Sequence, residues 1–326
     1  MTEQTHEVLE KVSPITNNEE NIQNQQSNSK ITPGYLLEIS TTKVSIILKL
    51  IDALKDVFKD ITLRIIPKVY KNGKISDNSA ISIIEFNKIV ELFIKIVLYA
   101  KEFDKYEVKG NSEIFLSLDM LCLSKIFKSI PATAKSITFF VEEKNPSKFG
   151  ITIVSDHNDI RTVKLNIINS NIHNYSNPHA KYSAIITIPS NKFNNIIKPM
   201  STYTDILRIT YTNTATTPHI IQISCNSDII PEDTHTIHGL SSNNEDVPIQ
   251  NILISGTFDI KVICSFLKFG LISPNLTIYM RHDDAYIFEY NVANLGLASF
   301  VVSQKHKTSI DDQIEDNIQI ESDDEM

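Results

Sequence analysis

The sequence predicts an α+β protein made of two similar domains, each with antiparallel sheets and two helices. Three observations carry that expectation. A strand-into-helix pattern recurs four times along the chain. Short apolar strands fill the intervals, so strands come in runs and helices come singly, as in antiparallel α+β folds. A polar stretch, Asn169 to Lys181, separates the first two copies from the last two by composition.

The first copy is Leu36-Leu-Glu-Ile39, a start signal Ser40-Thr-Thr, and a helix over Val44 to Phe58. The second is Ile114-Phe-Leu-Ser-Leu118, then Asp119, then a helix through Ser129. Ala184-Ile-Ile-Thr-Ile188 leads through Pro189-Ser190 into the third helix, which runs to about Lys198. Ile252-Leu-Ile-Ser255 leads through Gly256-Thr257 into the fourth, which runs through Phe269. Apolar residues at helical spacing, Ile47, Leu48, Leu50, Ile51, Leu54 and Phe58 in the first, give each helix a face to bury. Self-similarity on this scale predicts a duplicated domain that is itself duplicated.

Strands are expected at Ser136–Glu142, Gly150–Ser155 and Thr162–Ile168, and then at Ile206–Tyr211, His219–Ser224, Leu276–Met280 and Ala285–Val292. The boundaries follow. Residues 1–34 form an arm rich in Asn, Gln, Glu and Ser, too poor in apolar residues to fold. The first domain spans 35–168, a connector 169–181 and the second domain 182–305. Residues 306–326 form a disordered acidic tail with Asp311, Asp312, Glu315, Asp316, Glu321, Asp323, Asp324 and Glu325, read as a solvated solubility device.

Composition agrees with an ordinary intracellular protein. The 326 residues suffice for two cores, and 41% hydrophobic with 21% charged residues excludes global disorder. Cys122, Cys225 and Cys264 are dispersed, with no CxxC pair, so they read as buried thiols in a reducing compartment. No basic start precedes an apolar stretch, so no secretory signal is expected. The most apolar region, Ile81 to Ala100, is broken by Glu85, Lys88, Glu91 and Lys95, which rules it out as a membrane span.

No catalytic chemistry is signalled. No GxGxxG or GxxxxGK[ST] loop is present to cradle phosphate. His235-Thr-Ile-His238 with Asp233 has a ligand-like spacing, but it reads as a polar loop without a completing ligand set. Asp283-Asp284 reads as a hairpin turn. No catalytic residue, metal or cofactor is assigned, and an enzyme is not expected.

The four helices share a second property, lysine on the side away from the core. The first carries Ser45, Lys49, Asp52, Lys55 or Asp56, and Lys59 on one side; the second carries Lys125 and Lys128. The third carries Lys192, Asn195 and Lys198, and the fourth Lys261, Ser265 and Lys268. One such lysine is ordinarily a solvated residue; recurrence at four equivalent helices points to a ligand. Duplex DNA presents one phosphate charge per ~1.7 Å of axis, and a lysine-lined cavity holds it without reading bases. Point-like ammonium groups favour no single register, which suits sliding. With a net charge of -8, an acidic outer surface would keep DNA off the outside.

These residues resemble the proliferating cell nuclear antigen class of sliding clamps over about Tyr35 to Lys305. The likeness rests on Ser45-Ile-Ile-Leu-Lys-Leu-Ile-Asp-Ala-Leu-Lys-Asp56, Leu118-Asp-Met-Leu-Cys-Leu-Ser-Lys-Ile-Phe-Lys128, Tyr182-Ser-Ala-Ile-Ile-Thr-Ile-Pro-Ser-Asn-Lys-Phe193 and Phe288-Glu-Tyr-Asn-Val-Ala-Asn-Leu-Gly296. The resemblance implies the DNA clamp fold, with sheets outside and helices on the inner face of a homotrimeric ring. It also implies a processivity factor in DNA replication and repair that binds double-stranded DNA without sequence preference. Carried over, the inner basic positions are Lys49, Lys55, Lys125, Lys128 and Lys198; the helical-face argument adds Lys192, Lys261 and Lys268.

The same resemblance implies DNA polymerase and other replication proteins as partners, bound through short peptide motifs, with a clamp loader as a further partner. It sets a pocket of Phe86, Val90, Tyr175, Ala285, Val301, Ser303 and Gln304. Here the sequence departs from the family: a longer connector, Ser303-Gln304 for Ala-Pro, Val301 for a tyrosine and Ala285 for a proline. Ring closure would join Gly150–Ser155 or Thr162–Ile168 to His219–Ser224 of the next subunit. Replication sites, in a nucleus or a cytoplasmic viral factory, are the implied location, and the extensions suit a viral member. The alternative is a clamp-fold scaffold in a mixed ring or viral transcription complex that forms no homotrimer.

Overall fold

The computed structural model describes residues 31–305 apart from 69, 72–73, 76–77, 88–91, 170–181, 215–218, 229, 242–251 and 283. The acidic tail, nearly all of the expected arm and nearly all of the connector lie outside the described residues.

The first half runs β1 (Tyr35–Thr41), α1 (Val44–Leu54), β2 (Asp60–Ile66), a small ribbon of β3 (Tyr70–Lys71) and β4 (Lys74–Ile75), β5 (Ala80–Asn87), β6 (Leu92–Tyr99) and β7 (Lys105–Val108). It continues with β8 (Ile114–Asp119), α2 (Met120–Lys128), β9 (Ser136–Glu142), β10 (Asn145–Val154) and β11 (Ile160–Asn166). The second half runs β12 (Ala184–Pro189), α3 (Ser190–Met200), β13 (Ile206–Asn213), β14 (Ile220–Cys225), β15 (Asp233–His238) and β16 (Leu240–Ser241). It ends with β17 (Ile252–Asp259), α4 (Ile260–Ser265), a 3-10 turn over Leu267–Leu271, β18 (Asn275–Met280), β19 (Tyr286–Val292) and β20 (Gly296–Val302).

The fourfold recurrence is present and obeys one pairing rule. Each unit is a strand, a helix and a run of strands, three of which build its sheet. The leading strand of each unit pairs with the first strand after the helix of the other unit in its half. The four resulting blocks are β11-β10-β9-β1, β6-β5-β2-β8, β20-β19-β18-β12 and β15-β14-β13-β17. Every neighbouring pair in them is antiparallel. The outermost strands of the two middle blocks, β6 and β20, pair with each other from Gly296↔Leu98 to Val302↔Leu92, which fuses the halves into a nine-stranded sheet.

Strand alternation explains the layering. In β6, Leu92, Ile94, Ile96 and Leu98 are buried beneath the helices, whereas Phe93, Lys95, Val97 and Tyr99 stand half-exposed on the other face. The stretch that is too charged for a membrane span is thus β5 and β6 with their connection, and no helix among the described residues is long and apolar enough to cross a membrane. On the inner side α1 packs on α2, α3 packs on α4 and the 3-10 turn, and that turn also touches α1, so the helices form one row across both halves. Beneath α4 the core is aromatic. Phe266 stacks on Phe300 with ring centroids 4.6 Å apart, and Phe269 meets the same ring at 4.7 Å.

Three expectations are corrected. The first helix ends at Leu54, not Phe58. The fourth does not start at Gly256-Thr257: both residues stay in β17, and Asp259 caps α4 by accepting from Lys261 N at 2.9 Å. It then breaks at Phe266 into the 3-10 turn, so Lys261, Ser265 and Lys268 do not share one continuous helical stripe. The proposed ring edges also change. β10 and β14 are each paired on both sides, whereas β11 and β15 are the outermost strands of their sheets. Of the expected edges, only Thr162–Ile168 overlaps an observed one.

Candidate nucleic-acid interface

Helices α2 and α3 place their side chains alike. From Met120 and from Ser190 the order of buried and exposed positions is the same for eleven residues. Lys128 and Lys198 therefore occupy equivalent exposed positions, as do Lys125 and Asn195, and Cys122 and Lys192. The α2 start is fixed by Asp119, whose carboxylate accepts from Cys122 N at 2.6 Å, a bond that holds its pKa below the usual carboxylate range. Lys125, Lys128, Lys192 and Lys198 are all exposed, and none is ion-paired among the described residues.

The other four predicted lysines are engaged. Lys55, half-buried, bonds to Asp52 one turn earlier. Lys268 reaches from the 3-10 turn to Asp56 at 2.5 Å and Asp52 at 3.2 Å, stitching the two halves of the helical row together. The bond from Asp56 holds its ammonium above the ordinary lysine range, and the Lys55 bond holds Asp52 below the ordinary aspartate range. Lys49 is exposed and donates to Leu271 O at 3.3 Å. Lys261 pairs with Asp205 at 2.7 Å, with both side chains about three-quarters exposed, so solvent screens the pair. The row is positive where α2 and α3 flank it and nearly neutral at its α1–α4 centre.

The formal charge is unevenly spread along the chain. Of the formal -8, residues 306–326 carry -7 and residues 1–30 carry -3, leaving residues 31–305 at +2. The acidity belongs to the terminal segments, and the folded body is close to neutral.

The outer face carries an apolar row. Cross-strand register aligns Phe86, Phe93, Val301, Ile287 and Tyr279 across β5, β6, β20, β19 and β18. Phe93, Val301, Ile287 and Tyr279 line a groove of about 320 Å³ with Tyr182, whose ring meets Tyr279 edge-on at 5.5 Å. Glu289, on the groove floor, accepts from Tyr279 at 2.9 Å and Ser299 at 3.0 Å. Of the pocket expected from resemblance, Phe86 and Val301 lie in this row. Ala285, Ser303 and Gln304 lie just beyond the paired ends of β19 and β20, where Gln304 Nε2 donates to Asp284 O at 2.6 Å. Val90 and Tyr175 lie outside the described residues. The sequence reading missed Phe93, Ile287 and Tyr279, although the alternation Phe93-Ile94-Lys95-Ile96-Val97 marks one of them.

The histidine motif is a strand, not a loop. Asp233–His238 is β15; Asp233 and His235 meet at 3.2 Å on one face, and His238 falls on the other. Among the described residues no group of three or more His, Cys, Asp or Glu side chains gathers as a metal site. Cys225 is buried and Cys264 half-buried, and burial pushes both thiols up; Cys122, expected to be buried, is exposed on α2.

Residues 176–305 match the family model described as proliferating cell nuclear antigen, C-terminal domain. Those residues hold two of the four strand-helix units, and the pairing rule repeats them in the first half. Over its second half the chain is thus similar to the proliferating cell nuclear antigen family. Over 276 residues it is 22% identical to the proliferating cell nuclear antigen of Chaetomium thermophilum, covering 83% of this chain and 98% of the relative. It is 24% identical over 273 residues to a probable DNA polymerase sliding clamp 1 of Paramecium bursaria Chlorella virus 1, covering 82% of this chain and 96% of that protein. A probable DNA polymerase sliding clamp of Autographa californica nuclear polyhedrosis virus is 21% identical over 231 residues. Identity this low is that of a divergent relative.

Proposed function

We propose that this chain is a DNA sliding clamp, a non-catalytic processivity factor whose copies close around duplex DNA and tether a DNA polymerase at replication sites. It is built of two clamp domains, 35–168 and 182–305, joined by the connector 169–181. One observation carries this reading. The pairing rule joins the outermost strands β6 and β20 within the chain and leaves their counterparts, β11 and β15, as edges at opposite ends. A second copy that offers β15 to β11 repeats the internal joint and removes both edges, as closed rings do. Three copies, as the resemblance implies, make the ring.

In that ring the helical row faces inward. The ammonium groups of Lys125, Lys128, Lys192 and Lys198 meet the phosphates, with Lys49, Lys55, Lys261 and Lys268 contributing less because each already has a partner. The outer groove of Phe93, Val301, Ile287 and Tyr279 takes apolar anchors of partner peptides. The two viral relatives carry the name probable DNA polymerase sliding clamp, which supports polymerase as the tethered enzyme.

Light scattering tests the assembly. A mass of about three times the 36.9 kDa chain is expected, with retention on closed circular DNA that is lost when the circle is cut. A monomer that fails to stay on circles would overturn the homotrimer and favour a subunit of a mixed ring.

A further inference from the structure

We infer that the acidic segment after Lys305 docks on the exposed lysines of α3 and α2 when DNA is absent and is displaced by DNA; this rests on those lysines facing the duplex. The route of the chain supports it. Past Val302 the backbone leaves the nine-stranded sheet. Gln304 is held by Asp284 O and packs over Gly256, where an added Cβ would lie 3.0 Å from the Gln304 Cδ. Lys305 N then donates to Thr257 O at 2.8 Å, and Lys305 Nζ pairs with Asp259 at 2.9 Å. Asp259 is the cap of α4, so the segment is released at the rim of the helical row. Lys198 lies close by, since its charge and the Ser201 hydroxyl both act on Cys264 of α4.

Reach and charge agree. Asp311 to Asp316 lie six to eleven residues past Lys305, about 20–40 Å of extended chain. The 11 residues of α3 span about 16 Å. The first acidic block can therefore lie along α3, and the second, Glu321 to Glu325, can reach α2. Residues 306–326 carry -7 against +2 for residues 31–305, and the attraction acts within a Debye length of about 8 Å at physiological salt. Several lysines off the helices, Lys68, Lys105, Lys109 and Lys164, already pair with glutamates, whereas Lys192 and Lys198 are not ion-paired among the described residues. A run of carboxylates occupying them stands in for the phosphate backbone.

The test uses the full chain and a variant carrying Asp311→Asn, Asp312→Asn, Glu315→Gln and Asp316→Asn. Carbodiimide crosslinking with mass spectrometry should join the Asp311–Asp316 block to Lys192 and Lys198, and saturating linear duplex should suppress those products. In anisotropy titrations at low salt the variant should bind the duplex about three- to tenfold tighter than the full chain, with the gap closing near 0.5 M salt. Crosslinks to sheet lysines such as Lys95 or Lys148, or equal affinities at low salt, overturn the inference. If neither protein binds duplex, the DNA reading fails, and the crosslinks alone then decide whether the segment docks on α3.

Discussion

Salt dependence separates the two groups of lysines, because counterion release counts only the charges that phosphates neutralise. Consider a variant with Lys125, Lys128, Lys192 and Lys198 all changed to Ala. Each position is exposed on a helix, and alanine is a favoured helix former, so the fold should survive. Each lost phosphate contact lowers the slope of log K against log salt by ~0.9, so four contacts per engaged subunit remove ~3.6. Between 50 and 200 mM salt that slope corresponds to a change of about a hundredfold in affinity. The control is Lys55→Ala with Lys268→Ala. Both ammonium groups are already held by Asp52, and Lys268 also by Asp56, so a phosphate must displace a carboxylate and net release is small. Its slope should fall by less than about 1. Equilibrium anisotropy with a labelled duplex across that salt range reads both. Equal losses from the two variants would refute the division of the row into a positive rim and a neutral centre.

Gly296→Val should disrupt the seam between the halves, because even an added Cβ would lie 1.9 Å from Val97 O, and backbone cannot yield as a side chain can; thermal melting should show a large loss. Asp119→Ala should cost about 1 kcal/mol by removing the α2 cap, and Asp119→Asn much less, read by denaturant unfolding. Asp52 and Asp119 are held below the usual carboxylate range, so their contribution is complete above the unfolded value of about 3.9 and is lost as pH falls through the lower folded values. Stability should therefore be insensitive to them near neutrality and fall on acidification below about pH 4, measured by melting temperature against pH. Val301→Glu should abolish capture of a polymerase-derived peptide while leaving the assembled mass unchanged, since Val301 lies in the outer groove and not on β11 or β15.

The fourfold recurrence was legible because each unit announces itself locally. An apolar strand, a capping or turn residue and an apolar face at helical spacing all lie within about twenty residues of one another. Pairing between units was less legible. β14 and β10 read as edges because their own sequences are half-exposed strands; only knowing that β15 and β11 lie beyond them shows them to be interior. β15 escaped notice because Asp233-Thr-His-Thr-Ile-His238 is polar on an edge, where alternation is weak. The eight lysines were readable as a class, and their states were not. The bonds from Lys268 to Asp52 and Asp56 span more than two hundred residues, and the break of α4 at Phe266 depends on burying that ring against Phe300. The groove was half-readable for the same reason: alternation marks Phe93, but the alignment of Phe86, Val301, Ile287 and Tyr279 beside it depends on the register of four strand pairs.

A nearly neutral centre in the helical row bears on how a clamp can move. If every lysine were free, a duplex in the ring would meet a continuous positive wall, and each step along the axis would break many contacts together. Pairing Lys55 and Lys268 with Asp52 and Asp56 leaves firm contacts only on α2 and α3, at equivalent exposed positions such as Lys128 and Lys198. Fewer simultaneous contacts mean a shallower electrostatic barrier per step. In the proposed ring, closure through β11 and β15 supplies the retention in place of grip, so weakening those edges should shorten residence on circular DNA far more than removing any single lysine does.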